Sequence, residues 1–356
     1  MLIQSVIAAA RRWPKARITV LLPSDGPLRS ELLPFVADVR VTNLGILRKS
    51  NLKKMRLRDA AKFLRKVMEA RRVMQDYELI YINTAMVMDF ILAACTVSKP
   101  RVIHVHEIPT GLAKPFFCAL LIMTGAYVLF NSHATRASFI IPFWQKYSVV
   151  WNGVPPAKQL VVPEAHEKLN VLLIGRFNAW KGQSILLSAV RSLSVDLRSR
   201  LSVRLVGSVF GMQNHFAEDL SGTIAAQGLS SVVEMYPFNP NPGSHYLWAD
   251  VVVVPSTKPE PFGLVAIEAM AAGRSVIAAN HGGLSEIVID GVTGTLFSPG
   301  SINSLASAIV SYIENPDRAQ SEGAAGRERF EAEFEESHYK SKVTSVIAEL
   351  TRSKLS

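Results

Sequence analysis

Cysteine is scarce in this chain of 356 residues: Cys95 and Cys118 are the two present, each inside an apolar run. That scarcity argues against a disulfide scaffold and a cysteine-rich zinc site, and it fits a reducing compartment. Charged types reach only 19% against 49% hydrophobic types, a balance that excludes a disordered or low-complexity protein. No uncharged apolar run reaches the roughly 18 residues of a membrane span. The longest candidate, Pro115 to Phe130, is divided at Thr124 and Gly125 into a short helix and a strand, both read as core. The apolar first ten residues lead into Arg11, Arg12, Trp13 and Pro14 rather than a small-residue cleavage site, so no signal peptide is expected. The patterns G-x-G-x-x-G and G-x4-G-K-[ST] are missing, and with them the usual signatures of dinucleotide and P-loop sites. So is the G-x-S-x-G elbow.

Acidic residues run short in one half. Residues 1–165 hold 23 basic and 10 acidic side chains, whereas residues 166–356 hold 16 and 19. The first half therefore calls for an anionic partner. Its most basic stretch, Arg48 to Arg72, has eleven basic residues against Asp59 and Glu69. Within it Leu57, Ala60, Ala61, Leu64, Val67, Met68 and Met74 follow helical spacing and are expected to pack as core. Arg58, Lys62, Arg65, Lys66 and Arg72 take the other face, which suits an anionic membrane surface. Nucleic acid is not an expected partner, because no aromatic-interleaved basic motif is present.

Short, unalternated apolar runs alternate with helical patterns along nearly the whole chain, the mark of parallel strands buried on both faces. The proline-rich stretch Pro155 to Lys168 reads as a linker. The expected architecture is α/β: two doubly wound, Rossmann-like domains with a cleft between them, residues 1–157 and 158–335, followed by a C-terminal piece at 336–356. Ligands in such sheets bind at the carboxyl ends of the strands. The first domain opens on a helical pattern where a strand and turn belong. Either its sheet lacks the first strand or the chain starts late. Glu322 to Leu350 is helical in pattern.

The densest chemical signal is Pro259 to Gly273, which follows the strand VVVVP. Glu260 stands between two prolines and is pushed into an extended loop. Gly263 permits close backbone approach, and a helix starting there aims its free N–H groups at an anion. Leu264, Ile267 and Ala271 are expected to pack inward from that helix. Glu268 lies eight residues after Glu260, about one turn into the helix, so the two carboxylates suit different hydroxyl groups of one polar ligand; the plainer reading of Glu268 is an acid complementing the helix dipole. After the strand NVLLI comes GRFNAWKG, in which Arg176 and Lys181 are spaced to clamp a diphosphate, one as a fork and one as a point charge. His104, His106 and Glu107 close a strand of the first domain. The two histidines share a side, but no further cluster completes a ligand set, so no metal is expected. His106 suits hydrogen bonding to sugar hydroxyls or a proton relay.

The stretch EPFGLVAIEAMAAGRSVIAANHGGLSEIVIDGVTGTLFSPG resembles the signature region of family 4 glycosyltransferases with the GT-B fold, Glu260 and Glu268 matching its E-x7-E pattern. GRFNAWKG is similar to the family's donor-phosphate loop, and VIHVHE, VLFNSHATR and VVWNGVP resemble first-domain strand ends. The resemblance spans residues 75–350, and it implies that 336–356 is a C-terminal helix crossing back to the first domain. It implies a retaining, metal-independent, hexosyltransferase-type enzyme that moves a sugar from a nucleotide-diphosphate donor, the co-substrate in place of any cofactor, to an acceptor glycan or lipid-linked glycan. By that similarity Arg176 and Lys181 bind the diphosphate, Glu260 and the backbone of Phe262, Gly263 and Leu264 hold donor sugar and phosphate, and Glu268 takes the ribose. Pro237 and Phe238 lie by the nucleobase, and His106 by the reacting face of the sugar. Gly282 and Gly283 begin another cleft-facing turn. The expected setting is surface polysaccharide or glycolipid synthesis in the cytoplasm, peripheral on the inner leaflet. The competing readings are a non-catalytic nucleotide-sugar-binding relative and a sugar-nucleotide epimerase of the same fold. A phosphorylase would need a pyridoxal-binding lysine context that is missing.

Overall fold

The structure is a computed structural model describing residues 1–46, 57–157, 167–208 and 215–352. Most of the expected linker and the Arg48–Arg56 part of the basic stretch lie outside the described residues. The chain divides into two compact units, Met1–Gly153 with Glu336–Ser356, and Val154–Glu335.

The first unit opens on the helix Leu2–Arg12. Its strands are β1 (Thr19–Leu22), β2 (Asp38–Val41), β3 (Ile80–Ile82), β4 (Arg101–Val105), β5 (Tyr127–Phe130) and β6 (Tyr147–Val149). They form two parallel sheets, β1-β2 and β3-β4-β5-β6. Sequence pattern did not announce β2, because Asp-Val-Arg-Val is half polar and has only Val39 buried. The second unit holds β7 (Leu169–Ile174), β8 (Leu201–Gly207), β9 (Val233–Pro237), β10 (Val251–Val254), β11 (Ser275–Ala279) and β12 (Gly294–Phe297). These make one parallel sheet in the order β12-β11-β10-β7-β8-β9. Its first strand in sequence is thus central, flanked by β10 and β8. In the first unit, among the described residues, no strand joins β1 to β3.

Every residue of β5, β10 and β11 is buried, as expected of strands with helices over both faces. In the first unit one core lies beneath the helices Leu57–Gln75, Met88–Ala94 and Ala113–Thr124. A second forms where Tyr339, Val343, Val346 and Ile347 of the helix Glu336–Arg352 pack on Val102, Tyr127, Leu129 and Val150. Tyr339 shares a 2.6 Å hydrogen bond with Ser5 Oγ there. The helical pattern over Glu322–Leu350 is interrupted: the helix Pro316–Arg329 passes into a π-helical turn, Phe330–Phe334, anchored by two buried phenylalanines, and Glu335 is extended.

Two stripes expected to be core are in part surface. On the helix Leu57–Gln75 the buried line runs Phe63, Val67, Ala70 and Met74, at helical spacing. Leu64 and Met68 lie one position round and are 62% and 45% exposed. The helix Ala113–Thr124 buries Phe117, Cys118, Leu120 and Leu121, and so turns Phe116 and Met123 outward.

Tyr339→Ala is expected to destabilise the chain by about 3–5 kcal/mol, since it removes a fully buried aromatic ring from the core under the returning helix. The shift of the urea midpoint measures it.

Candidate active site

In the second unit β7 and β10 are paired neighbours, so the loops leaving their carboxyl ends are adjacent. The first loop, Gly175 to Gly182, is shaped by Asn178, whose Oδ1 accepts from the backbone N–H groups of Trp180 (2.9 Å) and Lys181 (3.0 Å). The Gln183 side-chain amide closes its base, Nε2 donating to the Arg176 carbonyl at 2.9 Å. The second loop follows Pro255. The two are stitched by Thr257 N–H to Trp180 O (2.8 Å) and by Trp180 Nε1–H to Lys258 O (3.2 Å). Gly182 has φ +76°, and a Cβ there would lie 1.9 Å from the Pro255 carbonyl oxygen, so glycine is what lets the loops meet.

Through that contact Lys181 Nζ reaches Glu260 Oε1 at 2.6 Å. Glu260 is 6% exposed, and the same oxygen accepts from the fully buried Ser256 hydroxyl at 2.5 Å. Its backbone is fixed as well: the Glu260 carbonyl accepts from Gly283 N–H at 2.8 Å, beside a bridge to Gly282. A Cβ on Gly282 (φ +63°) would fall 2.4 Å from that carbonyl oxygen. His281, from the same turn, lies with Nε2 2.8 Å from Ser256 O. Arg176 is exposed at the end of β7 on the lysine's own loop.

The helix Leu264–Ala271 has Gly263 as its N-cap, three residues past the buried Glu260. Phe262, 3% exposed, packs edge-on against Phe334 and holds that start in place. Leu264 is 39% exposed rather than turned inward, because it is the first helical residue and the buried face is carried by Ala266, Ile267 and Met270. Glu268 is half-buried and accepts from Tyr246 OH at 2.7 Å. Burial raises the Glu268 carboxyl above its usual range, with the tyrosine bond pulling the other way. Tyr246 is itself pushed well up by burial and by Glu268. Pro237, at the end of β9, lines a cavity of about 290 Å³ with Phe177, Gly207, Ser208, Met235 and Tyr236. Phe238 is 66% exposed and is not among its lining residues.

In the first unit the paired strands β3 and β4 deliver Asn83 and Thr84 beside His106 and Glu107. His106 Nε2 lies 3.3 Å from Asn83 Oδ1, so that nitrogen is the donor. Glu107 accepts from Ala85 N–H (3.3 Å), from His106 N–H (3.1 Å) and from the Thr84 hydroxyl. Its carboxyl is raised by burial, against the pull of those bonds. His104 is fully buried under His106, ring centroids 4.1 Å apart, and its Nδ1 shares a 2.7 Å bond with Tyr81 OH. Burial drives His106 down to about 4 and His104 well below the ordinary histidine value. Both are neutral at pH 7.

Of the sequence-predicted residues, Lys181 and Glu260 are joined directly, Glu268 has its own tyrosine partner, and His106 belongs to the other unit. Ser256, Asn178, His281 and Tyr246 were missed. Asn178 had a signal, an Asx residue three positions before the lysine in a glycine-bounded loop. Tyr246 had none, because its partner is distant in sequence.

Residues 158–329 match the family Glycosyl transferases group 1. The chain is 37% identical over 151 residues to D-inositol 3-phosphate glycosyltransferase of Streptosporangium roseum, a match covering 41% of this chain and 34% of that protein. It spans well under half the length of the curated relatives it matches. Alr3699/HepE of Anabaena, solved in complex with UDP-glucose, superposes with a TM-score of 0.76 at 25% identity over 98% of this chain and 95% of that one. Sucrose-phosphate synthase of Thermosynechococcus elongatus gives 0.72 at 21% identity, over 96% and 97%. The fold is therefore GT-B, two Rossmann-like units in one chain.

The depressed value of His106 has a stability consequence of fixed sign. Unfolding returns the ring to a pKa near 6.5, so the unfolded chain binds the extra proton and stability falls as pH drops from 6.5 toward 4. At pH 5 the contribution of His106 is on the order of 2 kcal/mol. His106→Asn is expected to flatten this limb in urea titrations at pH 5 and 7, leaving the part due to His104.

Proposed function

We propose that the protein is a retaining, metal-independent glycosyltransferase of family 4, of hexosyltransferase type. The carrying observation is the Lys181–Glu260 contact at the ends of two neighbouring parallel strands, in the stretch that matches the group 1 family. Lys181 and Arg176 take the donor diphosphate, and the first-turn N–H groups of the helix Leu264–Ala271 share its charge. Glu260 with the backbone of Phe262, Gly263 and Leu264 orients the sugar. Glu268 binds the ribose through the oxygen that Tyr246 leaves open. The base lies near Pro237 and Phe238. UDP-glucose bound to the HepE neighbour supports a nucleotide-sugar donor.

The acceptor hydroxyl attacks the anomeric carbon from the face of the departing diphosphate. As the carbon–phosphate-oxygen bond breaks, the acceptor proton passes to the leaving oxygen. His106, held neutral, serves as a hydrogen-bond partner of the sugar rather than as a cation. The acceptor is a glycan or lipid-linked glycan taken by the first unit, and the product feeds surface polysaccharide or glycolipid. The setting is the cytoplasmic face, with the basic stretch Arg48–Arg72 drawn to anionic lipid. No described helix is long and apolar enough to cross a membrane. The epimerase and non-catalytic readings are not favoured, since the relatives are named as transferases and synthases.

A thermal-shift series with UDP-, GDP- and ADP-sugars is expected to single out one donor by a raised melting temperature. With that donor, Lys181→Ala and Glu260→Ala each lower kcat at least about a hundredfold. Unchanged turnover in either variant contradicts the assignment. Tyr246→Phe removes the donor to Glu268 and is expected to raise the KM for the nucleotide-sugar about threefold to tenfold with kcat nearly kept, in line with the loss of one hydrogen bond to a carboxylate.

A further inference from the structure

The outward side of the helix Ala113–Thr124 presents Phe116 and Met123, 48% and 64% exposed, with Leu112 at its start 93% exposed. The segment after β5 adds Ile140, Phe143 and Trp144 at 67%, 97% and 67%. That segment is tied to the same helix. Ile140 N–H donates to Cys118 Sγ at 3.3 Å, and Gln145 Nε2 donates to Leu121 O at 2.8 Å, both on that helix. Phe143 and Trp144 stack edge to face at 4.9 Å, so the tip carries a joined aromatic pair. Apolar surface this concentrated needs an occupant.

Charge indicates which. From Ile108 to Ala157 the chain has no aspartate or glutamate, while Lys114, Arg136 and Lys146 are spread through it. The helix Leu57–Gln75 covers the same core as the helix Ala113–Thr124, with Met88–Ala94 packed alongside both, so all three belong to one side of the first unit. There Leu64 and Met68 stand exposed among Lys62, Arg65 and Arg72. A second copy would bring cation against cation. An anionic bilayer answers both features: headgroups meet the lysines and arginines, and acyl chains receive the protruding rings, with tryptophan suited to the boundary.

We propose that Leu112, Phe116, Met123, Phe143 and Trp144 form an inserting face that seats the first unit on an anionic lipid bilayer. This goes beyond attraction by the basic stretch and does not rest on the donor site.

The experiment is sedimentation of the full chain with vesicles of equimolar phosphatidylglycerol and phosphatidylcholine, and with phosphatidylcholine alone. The wild type is expected to pellet with the mixed vesicles, and Phe143→Ala/Trp144→Ala to lower the partition coefficient at least about tenfold. The emission of the wild type should shift to the blue on vesicle addition, a shift lost in Trp144→Phe. The nucleotide-sugar thermal shift of the double variant should match the wild type, which separates this surface from the donor site. Undiminished pelleting of the double variant overturns the inference; if Lys62→Glu/Arg65→Glu then abolishes binding, attraction by the basic stretch survives alone. No pelleting of the wild type overturns it as well, as does a dimer in gel filtration that the double variant dissolves.

Discussion

Lys181 and Glu260 are 79 residues apart in sequence and meet because β7 and β10 are neighbours in one parallel sheet. Parallel neighbours leave the sheet at the same end, so chemistry from distant parts of the chain converges without a dedicated scaffold. A carboxylate this buried is costly unless it is paired, and here one oxygen takes both the ammonium and the Ser256 hydroxyl. The remaining oxygen and the lysine's other protons are what the site can offer to a polar ligand.

The two units use the same strand-end logic with opposite electrostatics. In the second unit the loops carry fixed opposite charges held together. In the first, β4 is followed by a histidine stripped of its charge by burial, beside a carboxyl whose hydrogen bonds are supplied by backbone and threonine. A cation-and-anion pair suits a diphosphate sugar, and a neutral imidazole suits a hydroxyl. On the proposed reading the first meets the charge of the donor and the second a sugar hydroxyl, a difference set by solvation.

Much of this was legible in the sequence for a physical reason. Strands such as Val251–Val254 and Ser275–Ala279 are buried on both faces, so they appear as unbroken apolar runs. Glu260 between two prolines announced a loop. The edge strand Asp38–Val41 was invisible because half of it faces water. Tyr246 and Ser256 were invisible because hydrogen-bond partners of buried acids leave no period and no spacing. The apolar stripes on the helices Leu57–Gln75 and Ala113–Thr124 were misread as wholly core, since a 3.6-residue period gives the direction of a face but not its width.

The contact of Gly182 with the Pro255 carbonyl has an evolutionary reach beyond its geometry. A residue inserted into either loop would unhook Thr257 from Trp180 and carry the lysine away from its acid, so length can drift here only by paired changes in both segments. Variation is instead free at rims such as Phe238, where a side chain stands in water with no such tether. On the proposed reading, new donor preferences would arise by exchange of side chains at the rim while the loop lengths stayed frozen.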